Sequence, residues 1–274
     1  MPPVARTFRH AAALFAVVVL AGCAVGSPAG GSEPSARAGA SSIAATSPPD
    51  RLPPLDPGTS LVAQAVTGAA DVFPTPTGGR RSAHLTSPTP GSPLVFQVVD
   101  GQADRIQVRL PVRPDGSTGW VDRAAVHMLT DDWQLVVTPD AHVLRVLRAG
   151  RLVETDPVGI GRGVSPTPAG SYYITELLRP PDPAGSYGPY AFGLSAYSPT
   201  LTEFAGGTGQ IGLHGTNDPA GLGHDVSHGC IRVANVVITR LARELPLGTP
   251  VEIRAAPTQT GAPSSRGTES TGKG

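Results

Sequence analysis

The stretch "IGLHGTNDPAGLGHDVSHGCIRV", Ile211 to Val233, gathers three of the chain's seven histidines and one of its two cysteines. The apolar run Ile211–Leu213 reads as a strand that ends at His214 and opens into a Gly-rich loop. Cys230 is the one cysteine in the part of the chain able to form a core. A cysteine attacks as its thiolate, and a free thiol titrates above neutral pH, so a nearby imidazole is needed to take the proton and hold an ion pair. A base on a separate strand is oriented more rigidly than one on the nucleophile's own loop. His214 is therefore the preferred base and His228, two residues before Cys230, the next candidate. Three other readings stay open at this point. They are an inert buried thiol, half of a disulfide, and a zinc site from His214, His224, His228 and Cys230, whose spacing matches no structural zinc pattern.

The chain's start bears on the disulfide. Arg6 and Arg9 precede the apolar run Ala11–Leu20, which is too short to span a bilayer and has the character of a secretory signal over residues 1–22. "LAGC", Leu20 to Cys23, resembles the lipobox of bacterial lipoproteins. That resemblance implies a diacylglycerol on the Cys23 thiol, an exported chain and a membrane partner through the lipid anchor, on the outer face of the cytoplasmic membrane. A lipidated Cys23 cannot pair, so Cys230 is left as a lone thiol in an oxidising compartment. Residues 23–57 are mostly Ser, Pro, Gly and Ala and read as a disordered tether, and 255–274 as a loose tail.

About 200 residues remain, enough for one large or two small domains. Lys plus Arg and Asp plus Glu are equal at 21 each, so there is no basic field for nucleic acid. Short Val-, Leu- and Tyr-rich runs broken by Gly, Pro and Asp predict strands at 60–67, 94–100, 105–110, 118–122, 134–138, 143–147, 152–158, 171–176, 209–214 and 249–254. One helix is expected over 235–245, capped by Asn235 and ended by Pro246 and Gly248. The fold class is mostly β. "RPDG", Arg113 to Gly116, reads as a type I turn with Pro114 in its second position. Together with Trp120 it resembles a small SH3-like barrel, placed at 58–127, whose plain alternative is a spacer.

"HGT" at His214–Thr216 joined to "SHGCIRV" at Ser227–Val233 resembles the signature of the L,D-transpeptidases, the YkuD-type domain of peptidoglycan enzymes. "TPAG" at Thr167–Gly170, "YGPYAFGLS" at Tyr187–Ser195 and "GTPVEI" at Gly248–Ile253 extend the likeness over 131–254, as a β-rich catalytic domain with one main helix after Cys230. The resemblance implies Cys230 as nucleophile, His214 as general base and acid, and the Gly215 carbonyl as the group that orients His214. It implies an oxyanion hole from the N–H groups of Gly229 and Cys230, and substrate contacts from Ser227, His228, Arg232 and Tyr190. It implies peptidoglycan stem peptides as partners, no cofactor and no metal, and 3→3 cross-linking by acyl transfer to a side-chain amine. With water as acceptor the same site would be a carboxypeptidase. The aromatic segment 187–195 is expected either as a lid or as core. Asp225 is a weak candidate for a third triad member. A cell-wall-binding lipoprotein without activity is the rival function, and a tethered monomer the default. "GIGRG" at 159–163 is no nucleotide loop, because Val-Ser-Pro-Thr-Pro cannot open the helix such a loop needs.

Overall fold

A computed structural model describes residues 52–255, apart from 53, 103, 204 and 205. The expected signal segment, Cys23, and nearly all of the tether and the tail lie outside the described residues.

The first module is built from β1 (Ser60–Ala65), β2 (Ala69–Val72), β3 (Ala83–Thr86), β4 (Val95–Gly101), β5 (Arg105–Arg109), β6 (Thr118–Asp122) and β7 (Val126–Asp131). Five of these form a sheet in the order β6-β5-β4-β1-β7, and β2 and β3 make a separate hairpin. β5 shows why the sequence takes this form. Ile106 and Val108 are buried while Arg105, Gln107 and Arg109 alternate outward, the period of a half-buried strand. β7 pairs with β1 from Ala65↔Val126 to Ser60↔Asp131. The sheet therefore runs past the boundary expected at 127, and Asp132 alone separates it from the next strand.

The second module contains β8 (Trp133–Thr138), β9 (Val143–Arg148), β10 (Arg151–Pro157), β11 (Ile160–Gly161), β12 (Gly170–Leu178), β13 (Ala191–Tyr197), β14 (Gln210–His214), β15 (Asp225–Ser227), β16 (Ile231–Arg232), α1 (Asn235–Glu244) and β17 (Pro250–Ile253). Eight strands form one sheet in the order β10-β9-β8-β17-β12-β13-β14-β16. β17 runs parallel to β8 and β16 parallel to β14, so the chain's end and the loop after β15 both return to the sheet by crossover. α1 buries Val237, Ile238 and Leu241 against a core that includes Ile174, Phe192, Leu213 and Ile231. The fold is mostly β, with α1 the one α-helix among the described residues.

Three expectations are corrected. Asn235 does not cap α1: the cap position is Ala234, without a side-chain bond, and the Asn235 amide oxygen accepts the Thr216 N–H at 2.8 Å. The 187–195 segment is not a single lid. From Ala191 onward it is a central strand whose residues are buried up to Ala196, and Phe192 is core. The "RPDG" turn closes one residue later than expected, with the Ser117 N–H bonding the Pro114 carbonyl at 3.2 Å and Gly116 in the left-handed region at φ +81°, where glycine is unstrained.

That turn joins the two modules. The Asp115 carboxylate accepts the Tyr197 N–H at 3.0 Å and the Tyr172 hydroxyl at 3.2 Å. The Arg113 guanidinium donates to the carbonyls of Ser198, Leu201 and Thr208 at 2.8, 3.0 and 3.1 Å. Beside it the fully buried Tyr173 packs on Val62 and Val95 and donates its hydroxyl to the Arg109 carbonyl at 3.1 Å. Asp131 completes the joint, accepting the Trp133 N–H at 2.9 Å and the Thr249 hydroxyl at 2.7 Å. Removing an acceptor from a part-buried pair leaves its donors unsatisfied, at about 1–3 kcal/mol. Asp115→Ala is thus expected to lower unfolding free energy by about that amount, read from urea titration. An unchanged midpoint would mean that solvent replaces the carboxylate.

Candidate active site

The parallel pairing of β14 with β16 sets Leu213 opposite Ile231 and His214 opposite Arg232. Cys230, one residue before β16, therefore falls beside Gly212, and the Gly212 N–H approaches its Sγ at 3.4 Å. Gly212 and His214 share a face, being two apart on a strand. The position of a Cβ on Gly212 lies 3.7 Å from His214 Cδ2 and 3.9 Å from Cys230 Sγ, ordinary contact distances, and 3.3 Å from the Phe192 carbonyl oxygen, so imidazole and thiol flank one position above this glycine.

His214 is held from behind. Its Nδ1 lies 2.6 Å from the Gly215 carbonyl oxygen, a geometry that makes Nδ1 the donor and leaves Nε2 as the basic nitrogen. Gly215 is itself wedged. A Cβ there would sit 2.2 Å from Asn235 Oδ1 and 3.0 Å from Gly188 Cα. Gly188, at φ +65°, would meet the same Asn235 oxygen at 2.4 Å. One amide oxygen thus packs against two glycines and ties the loop after His214 to the segment before β13. That segment lays Tyr187 over His214, with ring centroids 4.8 Å apart. Tyr187 is 39% exposed while His214 is only 4% exposed, so the tyrosine acts as a cover over the base. Tyr190, the residue expected to touch substrate, packs against the core instead.

The loop bearing Cys230 is tied twice. The Ser227 hydroxyl donates to the Cys230 carbonyl at 2.6 Å and accepts the Gly229 N–H at 3.1 Å. Two expected roles change as a result. Ser227 is a buried brace whose hydroxyl proton is committed to the Cys230 carbonyl, and the Gly229 N–H is engaged inside the loop instead of facing an oxyanion. Gly229 is required for its shape: φ is +121° and a Cβ would press on Ile211 Cδ1 at 2.9 Å. The second tie comes from the segment before β12. Ser165 Oγ donates to the His228 carbonyl at 2.8 Å, and Thr167 Oγ1 donates to the Gly229 carbonyl at 2.8 Å while accepting the Gly161 N–H at 2.9 Å. The local sequence carries no sign of these contacts, which span some sixty positions; "TPAG" was the one clue, as a motif without a role.

His228 is exposed on the loop. His224 is exposed too, and its carbonyl serves β11 by accepting the Ile160 N–H. Asp225 is no triad member, because it pairs with His142 Nε2 at 2.7 Å. Arg232 hydrogen-bonds through its backbone to Gly159, and its Nε has no hydrogen-bond partner. Among the described residues no set of three or more His, Cys, Asp and Glu side chains is placed to hold a metal ion.

Two cavities meet at Cys230, His214 and Tyr187. One, of about 100 Å³, is walled by Ser198, Leu201, His228 and Arg232. The other, of about 610 Å³, runs over Gly193 and Gly212 toward Glu176 and Arg179. Burial lowers His214 to about 4, with the Gly215 carbonyl opposing that shift and Arg232 adding to it. Burial also raises Cys230 above its ordinary value, against the smaller pull of the Gly212 N–H and Arg232. The free site therefore holds a neutral thiol and a neutral imidazole near pH 7, in place of the ion pair that sequence chemistry suggests.

A half-buried Cys and a buried His facing a cleft in a β-rich module define the class. Residues 131–253 match the L,D-transpeptidase catalytic domain, YkuD. Two proteins named L,D-transpeptidase YkuD are similar over 124 residues. That of Bacillus licheniformis is 35% identical and that of Bacillus subtilis 34%, each match covering 45% of this chain and 67% of the relative. The structure of Bd1075 from Bdellovibrio bacteriovorus is 32% identical, over 45% of this chain and 48% of that one, with a TM-score of 0.37. The chain belongs to the L,D-transpeptidase family through its YkuD-type catalytic domain.

Two outcomes test this geometry. Alkylation of Cys230 by iodoacetamide is expected to climb only above the ordinary thiol value of 9.0, with no shoulder between the His214 value of about 4 and neutrality; such a shoulder would reveal a resting ion pair. Gly215→Ala forces Asn235 and the His214 acceptor apart, so acylation of Cys230 is expected to slow by about tenfold or more, measured by intact mass over time. Retention of the wild-type rate would show that the carbonyl does not position the base.

Proposed function

We propose that the chain is a peptidoglycan L,D-transpeptidase that forms 3→3 cross-links, with Cys230 as nucleophile and His214 as general base and acid. The observation that carries this reading is Cys230 standing beside a buried imidazole whose Nδ1 is committed to the Gly215 carbonyl, where two cavities converge. As Cys230 Sγ attacks the carbonyl carbon of the third stem residue, His214 Nε2 takes the thiol proton. The Cys230 N–H, which donates to nothing among the described residues, supports the developing oxyanion. The C–N bond to the terminal D-Ala breaks and Nε2 returns the proton to the leaving amine. The resulting thioester is attacked by a side-chain amine of a second stem. The C–S bond breaks, and the amine's proton passes through Nε2 to Sγ.

A thiol and imidazole that are both neutral at rest support proton transfer in step with attack, so the nucleophile forms only when substrate is placed. Arg232, which lines the smaller cavity with Cys230, suits a stem-peptide carboxylate. Cys23 would carry the lipid that anchors the chain at the outer face of the cytoplasmic membrane, and the first module is read as SH3-like.

Intact-mass analysis after incubation with a carbapenem tests the assignment. One adduct is expected on the wild-type protein, none on Cys230→Ala, and a slowed one on His214→Ala. A folded wild-type protein that takes no adduct would overturn the reading in favour of a wall-binding lipoprotein.

A further inference from the structure

The larger cavity holds one carboxylate. Glu176, on β12, is 6% exposed and lines that cavity together with Gly193, Gly212 and Cys230. Pairing across the sheet sets these residues in a row: Gly193 lies opposite Glu176 on one side and opposite Gly212 on the other, and the Gly212 N–H meets Cys230 Sγ. A register shift between Ile174 and Glu176 is the kind of irregularity that re-aims a side chain. Thr175 and Glu176 end a run from Tyr172 that is buried on both faces. A Cβ on Gly193 would meet Glu176 Oε1 at 2.6 Å. The carboxylate thus reaches over Gly193, with the Gln210 amide beside it, and a trough runs on over Gly212 to the thiol.

The carboxylate is braced on one oxygen only. The Thr89 hydroxyl, from the loop between β3 and β4 of the first module, donates to Glu176 Oε2. Neither a cation nor a donor engages Oε1 among the described residues. Arg179 lines the same cavity but has its guanidinium over the Tyr190 ring, 5.3 Å from the centroid. A buried carboxylate with one oxygen open to a cavity is costly unless a positive group completes it.

We propose that Glu176 selects the acyl acceptor: its open oxygen receives the ammonium group of an incoming amine at the far end of the trough. This rests on the acyl-transfer reading above. The docked ammonium gives one proton to the Glu176 carboxylate. The neutral amine then advances over Gly212 to the thioester on Cys230, and its second proton leaves through His214. Water gains nothing from this carboxylate, so the trough favours amide formation over hydrolysis. Thr89 is a positioning residue, and through it the first module shapes acceptor choice.

The test uses the purified full chain with a tetrapeptide donor and, as acceptor, a tripeptide stem bearing a free side-chain amine or its N-acetylated form. Mass spectrometry reads the ratio of cross-linked to hydrolysed product. Glu176→Gln keeps the shape and the Thr89 contact. It is expected to lower that ratio by about tenfold or more, the weight of a charge-assisted hydrogen bond, through a raised KM for the amine; Glu176→Asp restores part of it. Thr89→Val is expected to shift the ratio the same way and less. An unchanged ratio in Glu176→Gln would overturn the proposal. So would equal losses of both products in Glu176→Gln and Thr89→Val alongside lowered melting temperatures, which would make the pair a structural brace. A wild-type protein that forms no acyl-enzyme with the donor would overturn the underlying function, and the role of Glu176 with it.

Discussion

The site depends on a pairing two residues long. β16 has only Ile231 and Arg232, yet its parallel contact with β14 sets the thiol beside the imidazole. So short a pairing cannot hold register by itself, since ladder bonds contribute modestly each. Register comes instead from what surrounds the loop. Ser227 closes it from within, Ser165 and Thr167 hold its carbonyls from below, and the Arg232 backbone is tied on both sides to Gly159. Every one of these bonds is made by a backbone group or a short hydroxyl side chain, which have few rotamers to lose. The position of the Cys230 thiol is therefore set at small entropic cost.

The same economy explains the glycines. Gly188 and Gly215 exist in these places because one Asn235 oxygen fills the space their side chains would need. These two are constraints of close approach, and Gly188 also needs a positive φ. Burial then acts in opposite directions on the two reactive groups. It disfavours the cation of His214 and the anion of Cys230 alike, because either charge loses its hydration. The outcome is a site that does not store a reactive thiolate, which would be open to oxidation.

Much of this was legible in the sequence wherever the signal was local. Strands such as β5 and β9 announced themselves as short apolar-rich runs, α1 by its apolar face, and His214 by ending an apolar run before a glycine. What stayed hidden was of two kinds. β13 is buried on both faces up to Ala196, so it shows no alternation, and its glycine and aromatics left lid and core both open; the strand is core, and Tyr187, before it, is the cover. Asn235 matched the composition of a helix cap, but its oxygen had a better use across the fold. The Ser165 and Thr167 braces and the Thr89 contact to Glu176 are long-range, and no local rule finds a hydroxyl whose partner lies more than sixty residues away.

The junction of the modules gives these distant contacts their force. Arg113 binds the carbonyls of Ser198, Leu201 and Thr208. Ser198 and Leu201 wall the smaller cavity and Thr208 the larger. Thr89 reaches Glu176 in the larger cavity as well. The first module thus touches the walls of both chambers that open on Cys230. The arginine faces solvent and its bonds are weak singly, but three carbonyls gathered on one planar guanidinium share a single orientation. A wall held in this way keeps its shape while substrate is absent. Preorganisation of that kind favours the placed peptide over the far more abundant water, because the ordering cost has already been met in folding. A spacer would need none of these contacts, and a module that served only to lift the catalytic sheet off a membrane would have no reason to put its turn and its Thr89 loop against the cavities.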